Sequence, residues 1–188
     1  KFSQRGMGGV KTTHLLQLKR KNGKKGRNVV LSKPATDTKA GDEVSSRIGL
    51  HSGVDIVLEK NATIMENMQP LRPWAILVDE AQFLTPAQVD ELYEITKMYD
   101  IPVVCYGLRC DFQMKGFPGS TRLLEIADEL EELKTVCSCG EKATQNLRKE
   151  NGEPVFTGEQ VLIDGSIKET TYEGVCGKCY LRARSKTR

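Results

Sequence analysis

The chain has 188 residues, with 28 Lys plus Arg against 25 Asp plus Glu, for a net charge of +3. That length is enough to bury a core and fits one domain with a small appendage, while the charge is too mild to imply a nucleic-acid partner. No apolar run approaches the roughly 18 residues that cross a membrane, and no charged-then-apolar signal opens the chain, so a cytoplasmic protein with no membrane partner is expected. The chain opens at Lys1 without a methionine, which leaves room for a short preceding piece.

Residues 2–4 read as the stub of a first strand leading into a loop that contains Gly6, Gly8 and Gly9. A phosphate loop has the form G-x-x-x-x-G-K-[ST]: backbone N–H groups cradle phosphates, the lysine reaches the β and γ groups, and the hydroxyl binds magnesium. Counting back from Lys11 and Thr12, the two glycine positions hold Arg5 and Val10. The pattern is broken at both, and by itself Lys11-Thr12 reads more simply as a helix start. A β-branched Val10 would be strained wherever φ > 0 is required. Against this, three glycines keep the segment flexible, and non-glycine residues also carry backbone donors.

Residues 12–21 follow as a helix with Leu15, Leu16 and Leu18 apolar and a stop at Asn22-Gly23; residues 28–32 form a second strand. Residues 33–51, rich in Gly, Asp, Ser and Thr, read as a loop, and residues 54–58 as a strand or the start of a helical turn. Residues 74–79 are the most informative stretch. An apolar run of strand length ends abruptly in Asp79 and Glu80. Buried parallel strands read as continuous hydrophobic runs, and ligands sit beyond their carboxyl ends. Two acids there are placed to meet a metal–phosphate complex and a substrate hydroxyl, although an isolated pair can equally cap the strand.

Thr85-Pro86 caps a helix with apolar Val89, Leu92, Ile95 and Met98; residues 101–108 form another strand and residues 121–130 another helix. Strand and helix patterns alternate to about residue 135, the signature of a parallel α/β sheet. Beyond it, residues 143–148, 160–163 and 170–175 are short β-like runs lying between two close cysteine pairs, Cys137 with Cys139 and Cys176 with Cys179. Four thiolates so arranged suit tetrahedral zinc in a closed, structural site, disulfides being the alternative. Cys105 and Cys110 read as small buried hydrophobes. Basic clusters at residues 19–27 and 182–188 read as a solvated helix end and a frayed tail.

The combination resembles the type II thymidine kinases, the zinc-containing cytosolic family, particularly their bacterial members. The resemblance runs over nearly the whole chain. It is carried by residues 7–13 (Met-Gly-Gly-Val-Lys-Thr-Thr), 45–50 (Ser-Ser-Arg-Ile-Gly-Leu), 77–83 (Leu-Val-Asp-Glu-Ala-Gln-Phe) and 101–109 (Ile-Pro-Val-Val-Cys-Tyr-Gly-Leu-Arg). Asp111-Phe112, residues 132–134 with Cys137 and Cys139, and Tyr172 with Cys176, Cys179 and Tyr180 complete it. The family's tight Cys-x-Cys pair matches Cys137 and Cys139. Glycine directly before the lysine is the family's habit, and Val10 departs from it.

The resemblance implies a P-loop NTPase-like parallel α/β sheet flanked by helices over residues 1–135, and a small zinc-binding β domain with a lasso loop over residues 136–188. It implies transfer of the γ-phosphate of ATP to the 5′-hydroxyl of thymidine, with Mg2+, a structural Zn2+, and a homo-oligomer, dimer or tetramer. Glu80 matches the general base. Arg5, Gly6, Met7, Gly8, Gly9, Val10, Lys11 and Thr12 match the phosphate loop; within it, Lys11 faces the transferred phosphoryl group and Thr12 the magnesium. Asp79 matches the acid that organises the metal, and Ala81-Gln82 a segment lining the nucleotide. Met7, Phe83, Leu108, Phe112 and Phe117 match the walls of the thymine pocket, and Tyr172 the tyrosine of the lasso. Each aromatic read alone is a core residue. Asp37-Thr38-Lys39 stands near the family's acid-x-arginine element, and the stretch from Gly165 to Tyr172 is longer than in relatives. Two other readings use the same residues: a catalytically impaired nucleoside-binding homologue, suggested by Val10, and a degenerate P-loop ATPase whose zinc module binds nucleic acid. The basic clusters lack interleaved aromatics, which argues against the latter.

Overall fold

A computed structural model describes residues 1–5, 10–35, 43–45, 51–161 and 169–187. In chain order the elements are β1 (Phe2–Arg5), α1 (Val10–Gly23), β2 (Val29–Pro34), β3 (Glu43–Ser45), β4 (His51–Gly53), β5 (Ile56–Leu58), α2 (Ile64–Met68), β6 (Ala75–Val78) and α3 (Pro86–Met98). β7 (Val103–Leu108), α4 (Pro118–Ile126), β8 (Leu130–Glu132), β9 (Gln145–Glu150), β10 (Glu153–Val155), β11 (Thr170–Val175) and α5 (Gly177–Lys186) follow.

Six strands form one all-parallel sheet in the order β5-β2-β6-β7-β1-β8. Its central strands are apolar without alternation because both faces are covered. In β6, Ile76 and Val78 pack with Val89, Leu92 and Ile95 of α3 and Leu123 of α4; Ala75 and Leu77 pack with Leu15 and Leu16 of α1 on the opposite face. The carboxyl ends of β1, β6 and β7 therefore open on one edge. The loop into α1, the Asp79-Glu80 pair and the segment from Arg109 to Phe112 start there.

A second sheet, β10-β9-β11, is antiparallel. Its own core holds Cys137, Ala143, Leu147, Val175, Cys176 and Tyr180. It is tied to the end of β7 by Arg109 Nη2 donating to Thr144 O (3.1 Å), Asn146 Nδ2 to Cys110 O (2.7 Å) and Tyr180 Oη to Phe112 O (2.7 Å).

Several elements differ from the sequence expectation. β2 runs on to Pro34, and the expected loop after it contains the β3–β4 hairpin. α2 and a following 3-10 turn at Gln69–Leu71 were not expected. The acidic-ended strand begins at Ala75; Trp74 is 42% exposed with the Arg27 guanidinium 4.1 Å above its ring. The Thr85 cap is a full capping box with Gln88, but Met98 is 76% exposed. Steps of three fall about 60° short of a turn, so after three of them Met98 points away from Val89. α4 starts at Pro118, three residues before its expected start, and ends at Ile126, so Leu130 lies in β8, parallel to β1. Of the β-like run at 160–163, Gln160 and Val161 form a bend and the rest lies outside the described residues. The expected frayed tail is α5, whose N-cap Cys176 Sγ accepts from Cys179 N at 3.4 Å.

Candidate active site

β6 ends at Val78 because the chain turns sharply there. Asp79 is buried and its N–H still bonds Ser32 O (2.9 Å), continuing the sheet; its Oδ1 accepts from Glu80 N (2.9 Å). Glu80 then takes a left-handed backbone (φ 49°, ψ 37°), a conformation that costs a non-glycine residue on the order of 1–3 kcal/mol. The turn throws the Glu80 side chain off the strand axis. Gln82 follows in a 3-10 turn, fully buried. Its Nε2 donates to Glu80 Oε2 and its Oε1 accepts from Leu108 N (3.1 Å). One amide therefore ties the β6 acid to the end of β7. This approach needs Gly107: a Cβ there would stand 3.0 Å from Gln82 Oε1 and 3.1 Å from Gln82 N.

Beside this clamp lies a cavity of about 240 Å³ lined by Glu80, Gln82, Phe83, Leu108, Phe112, Phe117 and Tyr172, with Asp111, Asn146, Gln160 and Val161. Phe83 and Phe117 meet edge to face, with ring centroids 5.6 Å apart. The walls are apolar and aromatic with a few convergent polar groups, the build of a small-molecule site. Another cavity of about 290 Å³, among Met65, Met68, Ile76, Ile95 and Tyr99, carries no carboxylate and sits away from the strand carboxyl ends.

Five residues expected to wall a base pocket, Phe83, Leu108, Phe112, Phe117 and Tyr172, thus share one cavity with the expected base Glu80. Gln82, expected beside the nucleotide, lines the same cavity. The Ala81 methyl is fully buried in the core, so only its backbone could face a ligand. Gly6, Met7, Gly8 and Gly9 lie outside the described residues, as do the side chains of Arg5, Val10, Lys11 and Thr12, residues 37–39 and Gly165. The backbone of Val10 is described: it is the first residue of α1. Asp111, Asn146, Gln160 and Val161 were missed. Asp111 had a signal, being a carboxylate just past a buried strand. It is buried, with Oδ1 accepting from Gln113 N and Lys115 N (both 2.8 Å) and Oδ2 from Gln160 Nε2 (3.0 Å).

The Sγ atoms of Cys137, Cys139, Cys176 and Cys179 all lie within 4.8 Å of one another, and none is in a disulfide. Cys139 and Cys176 Sγ are 3.6 Å apart, too far for a bond of about 2.05 Å and close to the spacing of about 3.8 Å that tetrahedral Zn–S bonds of about 2.3 Å produce. The Cys139 backbone N–H, with that of Cys176, draws the Cys137 thiol down to about 6; hydrogen bonds with the Cys139, Cys176 and Cys137 thiols push Cys179 up to about 12. A metal such as zinc fits this donor set. Cys105 and Cys110 are buried apart from the cluster, and loss of water lifts the Cys105 thiol to about 12, as suits an inert packing residue.

These features define an α/β protein with a cavity at its strand ends and, beside it, four cysteines that could hold a metal. The thymidine kinase family model matches residues 2–180, and the chain belongs to that family. A thymidine kinase of Legionella pneumophila is 42% identical over 190 residues, covering 98% of this chain and 90% of its own. One of Streptococcus gordonii is 39% identical over 180 residues (94% and 92%), and one of Ruegeria pomeroyi 38% over 187 (97% and 93%).

Proposed function

We propose that the chain transfers the γ-phosphate of ATP to the 5′-hydroxyl of thymidine, giving dTMP and ADP. Family membership supports the kinase activity and its two substrates. The observation that supports the site is the position of Glu80, held by Gln82 at the end of an aromatic cavity and next to the strand-end acid Asp79. The thymine base lies among Phe83, Leu108, Phe112, Phe117 and Tyr172, with Met7 completing the wall. Glu80 accepts the hydroxyl proton as the 5′-oxygen bonds to the γ-phosphorus and the bond to the β–γ bridging oxygen breaks.

In this reading the loop from Arg5 through Val10 supplies backbone donors to the phosphates, and Lys11 balances their charge. Thr12 and Asp79 hold Mg2+, and Ala81 meets the nucleotide through its backbone. Phosphoryl transfer asks mainly for positioning and charge stabilisation, which so small a set can supply. Zinc on Cys137, Cys139, Cys176 and Cys179 has all four positions filled and is structural. Residues 1–135 act as the nucleotide-binding unit and residues 136–188 as the zinc and lasso unit. The enzyme works in the cytoplasm as a dimer or tetramer, without nucleic-acid or membrane partners; among the described residues no helix is long and apolar enough to cross a membrane.

The test is transfer of labelled γ-phosphate from ATP to thymidine, run beside Glu80→Gln. That variant keeps size and most hydrogen bonding but cannot take the proton, so turnover falls by roughly 10²–10⁴-fold with both substrates still bound. Equal turnover in the two proteins returns Glu80 to a strand-capping role.

A further inference from the structure

Arg148 is a buried cation that the reaction does not use. It lies in β9, where side chains alternate: Leu147 joins the cysteine core on one face, while Asn146 reaches the cavity on the other. Arg148 shares the face of Asn146. It is 3% exposed, and its guanidinium carbon lies 4.1 Å from the ring centre of Phe112, a cavity wall. Nη1 donates to Glu159 O (2.9 Å), immediately before Gln160 and Val161, which line the cavity. Nη2 donates to Glu150 Oε1 (2.6 Å), and a Cβ on Gly158 would stand 3.0 Å from it. Across the strand pair, Arg148 lies directly opposite Tyr172. One planar group therefore contacts the ring of Phe112 and the root of the 159–161 wall, beside the strand that carries Tyr172.

Stability is a poor explanation for this arrangement. Buried ion pairs are often replaced by apolar residues without loss, and the Arg148 Nε has no hydrogen-bond partner among the described residues. What the guanidinium provides is geometry: a flat face against an aromatic ring, with donors fixed in the plane at its rim.

We propose that Arg148 is a positioning residue for nucleoside recognition, setting the separation between Phe112 and the 159–161 wall. This rests on the reading of the cavity as the nucleoside site. A lysine can carry the charge but cannot stack on the ring and reach Glu159 and Glu150 at once.

The test compares full-length, zinc-loaded wild type with Arg148→Ala and Arg148→Lys, by steady-state kinetics in both substrates and by amide hydrogen exchange. In both variants the KM for thymidine should rise about tenfold or more, with the KM for ATP within about twofold of wild type. Exchange should quicken at 158–161 while that of α5 stays unchanged. Added guanidinium ion at millimolar concentration should lower the thymidine KM of Arg148→Ala and leave wild type unaffected. Unchanged exchange at 158–161 overturns the proposal, as does a rise in both KM values with a general loss of exchange protection. If wild type fails to phosphorylate thymidine, the substrate reading has failed, and exchange at 158–161 still decides whether Arg148 holds that wall. If the alanine variant does not fold, the lysine variant carries the same readouts.

Discussion

Gln82→Leu separates catalytic positioning from packing. Leucine fills much of the buried space but removes both ends of the clamp. The first loss is the acceptor for Leu108 N, a buried donor now bonded at 3.1 Å, and an orphaned donor of that kind costs about 1–3 kcal/mol. The second is the donor to Glu80. Glu80 is only partly buried, so water can replace that bond and the stability term is small. For a chain of this size 1 kcal/mol moves the melting temperature by about 2–4 °C, so melting should fall by about 2–12 °C. Activity should lose more. If loss of the Gln82 bond drops the productive Glu80 rotamer to between a tenth and a hundredth of the population, kcat falls about 10–100-fold, or about 1.4–2.7 kcal/mol. The assay is kcat for thymidine phosphorylation beside a thermal melt of the same preparation. A lower melting temperature with kcat within twofold of wild type would refute the clamp and leave Gln82 a strut between β6 and β7.

Metal analysis should find about one zinc per chain. Chelation should raise the thymidine KM more than the ATP KM, because Tyr180, next to Cys179, holds Phe112 O by its hydroxyl at 2.7 Å; equal loss for both substrates would break that link. Gly119→Ala should destabilise the protein by about 1–3 kcal/mol in a denaturant melt, since its Cβ would lie 2.6 Å from Ala81 O and 2.7 Å from Leu84 O, and backbone cannot move aside cheaply. Val10→Gly should cost up to about 1 kcal/mol of stability without raising kcat, as expected for a residue already in helical conformation. A tenfold gain in kcat would show that valine impairs the phosphate loop.

The parallel sheet was legible because its strands are buried on both faces and so read as runs such as Ala75–Val78. The Thr85 cap of α3 was legible as Thr-Pro before an apolar run, whereas the Gln88 half of its capping box went unread. β8 was not: Leu130–Glu132 is short, polar and at the sheet edge, and only its pairing with β1 makes it a strand. β10 had a signal that went unread. Asn151-Gly152 adopts positive φ at both residues (50° and 85°), the turn that Asn-Gly favours between paired strands. In the cavity, the aromatic walls came from motif resemblance, whereas Asn146, Gln160 and Arg148 carry no local pattern. Their proximity depends on how the second sheet docks on the end of β7, and sequence spacing does not encode that.

That docking also gives the cysteine unit its bearing on recognition. Four thiols could serve stability alone if their sheet stood apart. It does not stand apart, because β9 carries Leu147 into the cysteine core, Asn146 into the cavity wall and Arg148 against the ring of Phe112. On the other side of the ladder, β11 carries Tyr172 in the cavity and ends at Val175, immediately before Cys176. The strand pair thus carries the cysteines at one end and cavity-lining residues along its face. The Glu80 clamp is anchored differently, through Gln82 to β7 of the parallel sheet. Loosening the cysteine unit should therefore widen this cavity first and reach Glu80 only after the large sheet itself yields.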